Sequence, residues 1–224
     1  MKITTTFDVI IVGGGLAGLT SAIHLSSRKK RVLLIEKNEY PKHKVCGEYI
    51  SNEVLPYLNS LGINPINEGA KQITKVHIST TKSNLIKGEL PLGGFGMSRY
   101  FLDNLLVKKA HLNGVQILKD TVDSIYFKKD SFTITTKSSG VIQSKITIGA
   151  FGKRSSLDQK MKRKFIQKKS PYLAVKIHVK GVFPENLVAL HNFKGGYCGV
   201  SKVEDNAINV CYITEYRSFK KHKN

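Results

Sequence analysis

Gly13, Gly15 and Gly18 stand in the spacing G-x-G-x-x-G, directly after the apolar run Phe7 to Val12 and at the head of a segment of small and apolar residues, Gly15 to Arg28. The run reads as a buried strand, the segment as a helix, and Arg31 to Glu36 as a second strand. In such a unit the first glycine permits a tight turn, the second lets backbone approach a pyrophosphate, and the third brings helix and strand together. The phosphates then sit at the helix N-terminus, where free N–H groups and the positive end of the helix dipole face them. Glu36 closes the second strand, where a carboxylate accepts hydrogen bonds from both ribose hydroxyls and repels a 2′-phosphate. The unit therefore binds the ADP half of FAD or NAD rather than NADP, and the residues alone leave those two open. Gly14 and Ala17, inside the turn, and Lys37, after the acid, join the candidate cofactor-binding residues.

After this unit the chain is irregular from Lys37 to Ile50. Ser51 then caps a helix that runs to Leu61 and is closed by Gly62. Residues 72 to 90 alternate as strands do and lead into Gly93, Gly94 and Gly96, where a turn and a hairpin are expected. Ser98 to Asn113 returns to helical periodicity, with Gly114 as the stop. The period then changes to two, giving strands at Val115 to Leu118, Val122 to Phe127, Ser131 to Thr136 and Val141 to Ile148. Gly149 to Asp158 breaks the pattern. Leu173 to Val179, Leu187 to Asn192, Gly196 to Val203 and Ala207 to Ile213 follow as strands of an antiparallel sheet.

A chain of 224 residues with 41% apolar residues is an ordinary globular protein of one large domain or two small ones. The net charge of +20 suggests an anionic partner, but the basic residues are scattered singly and in pairs such as Lys29-Lys30, as on solvated faces. The exceptions, Lys160 to Lys169 and the end run Lys220 to Lys223, are not interleaved with aromatics in the manner of a stacking platform, so no nucleic-acid partner is expected. Cys46, Cys198 and Cys211 are odd in number and widely spaced, which fits neither a disulfide framework nor a zinc site and points to a reducing cytoplasm. The apolar runs are too short for a membrane-spanning helix, and the first strand begins too early to leave room for a signal peptide. Peripheral contact with a membrane stays open, as does the oligomeric state.

Three further segments resemble the flavoprotein family of geranylgeranyl reductases and the related single-component aromatic hydroxylases and flavin halogenases. Pro41-Lys42-His43-Lys44-Val45-Cys46-Gly47-Glu48 is similar to the P-x-x-K-x-C-G motif of the reductase branch, which in that family lies over the isoalloxazine ring beside the substrate cavity. Arg99, Asp103 and Leu106 resemble the R-x-x-x-D-x-x-L helix start whose arginine reaches the FAD pyrophosphate. Ile148 to Ser155 sits where the family carries Asp-Gly followed by Ser, with Phe151 in place of the aspartate. Gly195-Gly196-Tyr197-Cys198-Gly199 looks like the strand bordering the substrate cavity.

The resemblance implies FAD as the cofactor, with NADPH or NADH as a transient electron donor. It adds Lys44, Cys46, Gly47, Arg99, Val122, Gly152 and Ser155 to the candidate cofactor-binding residues, and makes Cys46 a candidate cavity residue. Read from the residues alone, Cys46 has a second reading as a small buried thiol, with a cavity position favoured, Arg99 one as a partner for Asp103, with a bound anion favoured, and His43 reads as a solvated loop residue rather than a proton donor. The expected fold is α/β: a Rossmann-like FAD-binding domain over residues 1–66 and 98–160, interleaved with a partial antiparallel substrate domain over 67–97 and 161–224. The family's later Gly-Asp segment has no counterpart after Ile213, so the resemblance implies a truncated member. The expected activity is transfer of hydride from reduced flavin to an apolar, isoprenoid-like small molecule. Flavin-dependent hydroxylation of a small organic substrate and a non-catalytic remnant are the alternatives.

Overall fold

The computed structural model describes residues 7–153, 155–168 and 170–221. Arg154 of the third motif, and Lys169 and Lys223 of the basic runs, lie outside them. In chain order the elements are β1 (Phe7–Val12), α1 (Leu16–Ser27), β2 (Val32–Glu36), β3 (Tyr49–Ser51), α2 (Leu55–Ser60), β4 (Lys71–Ser79), β5 (Leu85–Gly96), α3 (Arg99–Leu112) and β6 (Gln116–Lys119). There follow β7 (Val122–Lys128), β8 (Ser131–Thr136), β9 (Val141–Gly149), α4 (Ser156–Lys160), β10 (Tyr172–Val179), β11 (Leu187–Phe193), β12 (Gly196–Lys202), β13 (Ile208–Glu215) and α5 (Tyr216–Lys221). Among the described residues no helix is long and apolar enough to cross a membrane.

The chain forms two compact units, Met1–Lys42 with Asp103–Lys169, and His43–Leu102 with Ser170–Asn224. The first holds a sheet in the order β6-β2-β1-β9-β8-β7. β1 is central and pairs in parallel with β2 and β9, β2 pairs in parallel with β6, and β8 and β7 add antiparallel strands beyond β9. Both faces of the central strands are buried, which is why β1 and β2 are apolar without alternation. Ile10, Val12, Leu33 and Ile35 join Val122, Ile134, Ile142 and Leu157 in one core cluster. Val9, Ile11, Val32 and Leu34 take the other face and are equally buried.

The second unit holds a sheet in the order β10-β13-β12-β11-β4-β5-β3, antiparallel except for the β11–β4 pair. The unit boundaries fall elsewhere than the expected 66/67, 97/98 and 160/161. Residues 43–66 pack with the antiparallel sheet because Tyr49, Ile50 and Ser51 pair with Gly96, Phe95 and Gly94 as strand β3.

The glycines at 93 to 96 correct a second expectation, since they form no turn. They lie inside β5, and the hairpin closes earlier, where the Thr80 N–H donates to the Asn84 carbonyl and the Thr80 hydroxyl accepts the Lys82 and Asn84 N–H groups. The reason is close approach: a Cβ at Gly96 would stand 1.9 Å from the Lys202 carbonyl oxygen. The helix expected from Ser51 is present as a short 3-10 turn followed by α2, with the Ser51 hydroxyl accepting the Glu53 N–H. α4 and α5 were not foreseen from the pattern; Ser155 caps α4 by accepting the Leu157 N–H.

Candidate functional site

In the first unit the turn from β1 into α1 is built for a ligand. Gly13 has φ +106, in the left-handed region, and a side chain there would meet Ala150 backbone. Gly18 sits so close to the Gly13 carbonyl that a Cβ would stand 1.9 Å from its oxygen, so helix and turn are in direct contact. Gly15, by contrast, has no atom within 4 Å of where its Cβ would be. It is the N-cap of α1, no side chain caps the helix there, and no acid lies in the first turn. The first-turn N–H groups have no intrahelical acceptor, and together with the helix dipole they form an open anion cradle. Ala17 is exposed on that first turn.

Glu36 stands beside this cradle. One of its oxygens accepts the Gly14 N–H at 2.7 Å, and the other accepts the backbone and side-chain amides of Asn38 at 2.9 and 2.6 Å. A carboxylate offers about four acceptor positions, so one remains for a ribose hydroxyl. Tyr40 closes the back of the turn by donating to the Gly14 carbonyl at 2.6 Å. Burial, with Glu36 and Asp103 adding to it, pushes its phenol above the usual range, so it stays a donor. A cleft enclosing about 80 Å³ adjoins the turn, lined by Gly13, Glu36, Lys37, Val122, Phe151 and Ser155 among others. Gly152, at φ +72, is exposed and does not line it. The donors, the acid and the cleft fit the ADP half of a dinucleotide, with Phe151 packed on the core cluster and forming one wall.

Asp120 lines the same cleft and holds its rim. Burial opposes its charge, but the side chain of Ser139, the Thr121 N–H, the side chain of Thr136 and the Ser139 N–H outweigh that and bring its pKa from an ordinary 3.8 down to about 2. A carboxyl depressed in the folded chain stabilises it above the unfolded pKa, and loses that contribution as pH falls through the folded value. Asp120→Asn is therefore expected to cost about 2 kcal/mol at neutral pH. In urea unfolding at stepped pH, the gap between parent and variant should close between about pH 4 and pH 2. A gap that persists at the acid end would contradict this account.

The second unit gathers the rest of the expected set. An apolar cavity of about 450 Å³ is walled by Val45, Cys46, Gly47 and Tyr49 on one side and by Val76, Leu90, Val188, Leu190 and Ile213 of the sheet. Tyr197, Gly199 and Cys211 also line it, whereas Cys198 does not. The Cys46 sulfur accepts the Glu48 N–H at 3.5 Å. Burial, reinforced by Cys46, Cys198 and Glu48, pushes the Cys211 thiol up. Cross-strand partners share a face, so Lys176, opposite Cys211, and His178, opposite Asn209, project from the face that carries Ile213 and Tyr197.

Glu48 carried no role in the sequence reading, yet it organises this face. It is fully buried and takes Lys176 Nζ at 2.5 Å, His178 Nε2 at 2.6 Å and the Arg99 backbone N–H at 2.9 Å. Glu204 caps the preceding residue, accepting the Ser98 N–H at 2.8 Å. The α3 N-terminus is thus held by two of the chain's own carboxylates, and Arg99 anchors it through its backbone N–H. His43 is exposed but not merely solvated: it stacks on Tyr100 at 4.6 Å and meets His178 edge-on at 5.5 Å. Lys44 lines a separate small cavity with Lys176 and His178. The only signal for Glu48 was its place after Cys46-Gly47; its side-chain partners Lys176 and His178 come from a strand more than a hundred residues on. Among the described residues no group of His, Cys, Asp or Glu could hold a metal ion.

Residues 8–45 match the family described as FAD dependent oxidoreductase. The chain is 26% identical over 157 residues to a digeranylgeranylglycerophospholipid reductase of Methanococcus aeolicus, covering 67% of this chain and 39% of that protein. It is 27% identical over 188 residues to a 1H-pyrrole-2-carbonyl-[peptidyl-carrier protein] brominase of Pseudoalteromonas luteoviolacea, covering 79% of this chain and 46% of the brominase. Among solved structures, a flavin-dependent brominase superposes with a TM-score of 0.77 at 18% identity, covering 97% of this chain and 58% of its own. A geranylgeranyl bacteriochlorophyll reductase-like protein of Thermoplasma acidophilum superposes with a TM-score of 0.76 at 18% identity, covering 95% and 57%. The chain thus spans less than half the length of the curated relatives it matches.

Proposed function

We propose that this chain, which belongs to the superfamily of FAD-dependent oxidoreductases shared by geranylgeranyl reductases and flavin halogenases, serves the reduction of a carbon–carbon double bond in an apolar, isoprenoid-like substrate. The observation that carries the substrate half is the apolar cavity of about 450 Å³, one wall of which is the Val45-Cys46-Gly47 segment. When bound, FAD supplies the hydride chemistry, with NADPH or NADH as the source of electrons.

The chain's own residues bind and orient. The α1 N-terminus and the backbone around Gly15 neutralise and position a pyrophosphate, and Glu36 holds the adjacent ribose. In the second unit Val76, Leu90, Val188, Leu190 and Ile213 exclude water and hold an apolar chain by area rather than by hydrogen bonds. Cys46, kept in place by the Glu48 N–H, is the cavity residue proposed to touch the substrate. Its thiol adds a soft polar point to an otherwise hydrocarbon-like wall.

The test is reconstitution of the purified chain with FAD, followed by incubation with NADPH and geranylgeraniol without oxygen and mass spectrometry of the product. Gain of two hydrogens per reduced double bond is expected. Unchanged substrate beside bound, reducible flavin would remove the reductase reading for this chain. A product that gains oxygen, and only in air, would favour hydroxylation instead.

A further inference from the structure

We propose that Cys46 and Cys211 form a redox modification site, at which a low-molecular-weight disulfide oxidises the two thiols to an intrachain disulfide that closes the apolar cavity they both line. The closing effect rests on the reading of that space as a substrate cavity; the cross-link itself does not.

One hydrogen bond and the strand period bring the two thiols together. Asn209, Cys211 and Ile213 alternate with Val210 and Tyr212 along β13 and so share a face. Asn209 is fully buried, and its side-chain amide donates to the Gly47 carbonyl at 2.8 Å. Cys46 is the residue before Gly47, so the segment that carries it is tied down beside the face from which Cys211 projects. Cys46, Cys211 and Ile213 line the cavity together. Residues 42–48 belong to no helix or strand, so the segment adjusts to the narrow geometry of a disulfide without breaking a ladder. The same period excludes Cys198. Its neighbour Gly199 is the residue opposite Cys211, so the Cys198 side chain points to the other face of the sheet.

The two thiols play different parts. Burial, reinforced by Cys46, pushes the Cys211 thiol up, which makes it the poorer first nucleophile. Cys46 is therefore the point of entry. Its thiolate displaces one thiol from the external disulfide and forms a mixed disulfide; the Cys211 thiolate then attacks the Cys46 sulfur and expels the second thiol. The two protons lost by the cysteines end on the two thiols released, and the two electrons lost by the cysteines reduce the external disulfide. In the second step proximity replaces acidity. The new bond draws the wall of Val45, Cys46 and Gly47 onto β13, across the space between them.

The test exposes the whole, fully reduced chain to glutathione disulfide, then alkylates it and digests it with trypsin. The sequence places the three cysteines in separate tryptic peptides, 45–71, 195–202 and 203–217. Peptides 45–71 and 203–217 are expected to be joined, within a chain of monomer mass, with Cys198 alkylated. Binding of N-phenyl-1-naphthylamine, an uncharged apolar fluorophore, should weaken about tenfold on oxidation and recover with dithiothreitol. Cys211→Ser should retain glutathione on Cys46, and Cys198→Ser should behave as the parent. A cross-link through Cys198, glutathione retained on Cys46 of the parent, or three free thiols overturns the proposal. A 46–211 cross-link with unchanged fluorophore affinity overturns the closure. If the reduced chain binds no fluorophore, the substrate-cavity reading falls and the closure with it, while the peptide map still decides the cross-link.

Discussion

A Gly15→Val chain is expected to fold as the parent does and to bind FAD at least about a hundredfold more weakly. The two halves of this expectation come from different features of one residue. Gly15 has φ −81 and ψ −171, extended backbone that valine adopts readily, and nothing lies within 4 Å of the added Cβ. The folding penalty is only that of a poorer N-cap, on the order of 1 kcal/mol. The same open space is where a pyrophosphate must come to reach the first-turn N–H groups of α1, and a branched side chain there keeps it at a distance. Loss of two charge-assisted hydrogen bonds at about 1.5 kcal/mol each is enough for the stated factor. Flavin fluorescence titration beside thermal unfolding checks both parts. Gly18→Ala provides the contrast, because its Cβ would stand 1.9 Å from the Gly13 oxygen and the cost would appear in stability first. Parental flavin affinity in a folded Gly15→Val chain would refute the pyrophosphate assignment.

This site was legible in the sequence because it is local. Strand, three glycines, helix, second strand and terminal acid occur within thirty residues of one another, and the backbone geometry of each follows from its neighbours. Gly93 to Gly96 show where that stops. Absence of a Cβ serves a turn and a close approach equally, and only the position of Lys202, a hundred residues on, decides for close approach. The placement of residues 43–66 failed for the same reason, since a three-residue strand carries too little pattern to announce its pairing with β5. Phe151 was visible as a departure from the family pattern, but its packing against the core cluster that includes Val12, Val122 and Leu157 depends on the assembled sheet. The basic cavity was invisible, because His43 and Lys44 precede β3 while Lys176 and His178 lie on β10.

Glu48→Gln is expected to destabilise the chain by about 3 to 5 kcal/mol, and Lys176→Met by less. The acid has no exposed surface and Lys176 only 6%, so neither charge can turn to water when its partner is removed. Glutamine keeps the shape and can still accept the Arg99 N–H, but it leaves the Lys176 ammonium buried without a counter-charge. Methionine at 176 matches the length of the lysine stem and leaves Glu48 with His178 at 2.6 Å and the Arg99 N–H at 2.9 Å, so its loss is cushioned. The double variant removes both charges. If the pair is what matters, it should be no less stable than Glu48→Gln alone, giving a coupling of about 2 kcal/mol in a double-mutant cycle by urea unfolding. Additive losses would show instead that Glu48 acts through its hold on α3 and that Lys176 contributes independently.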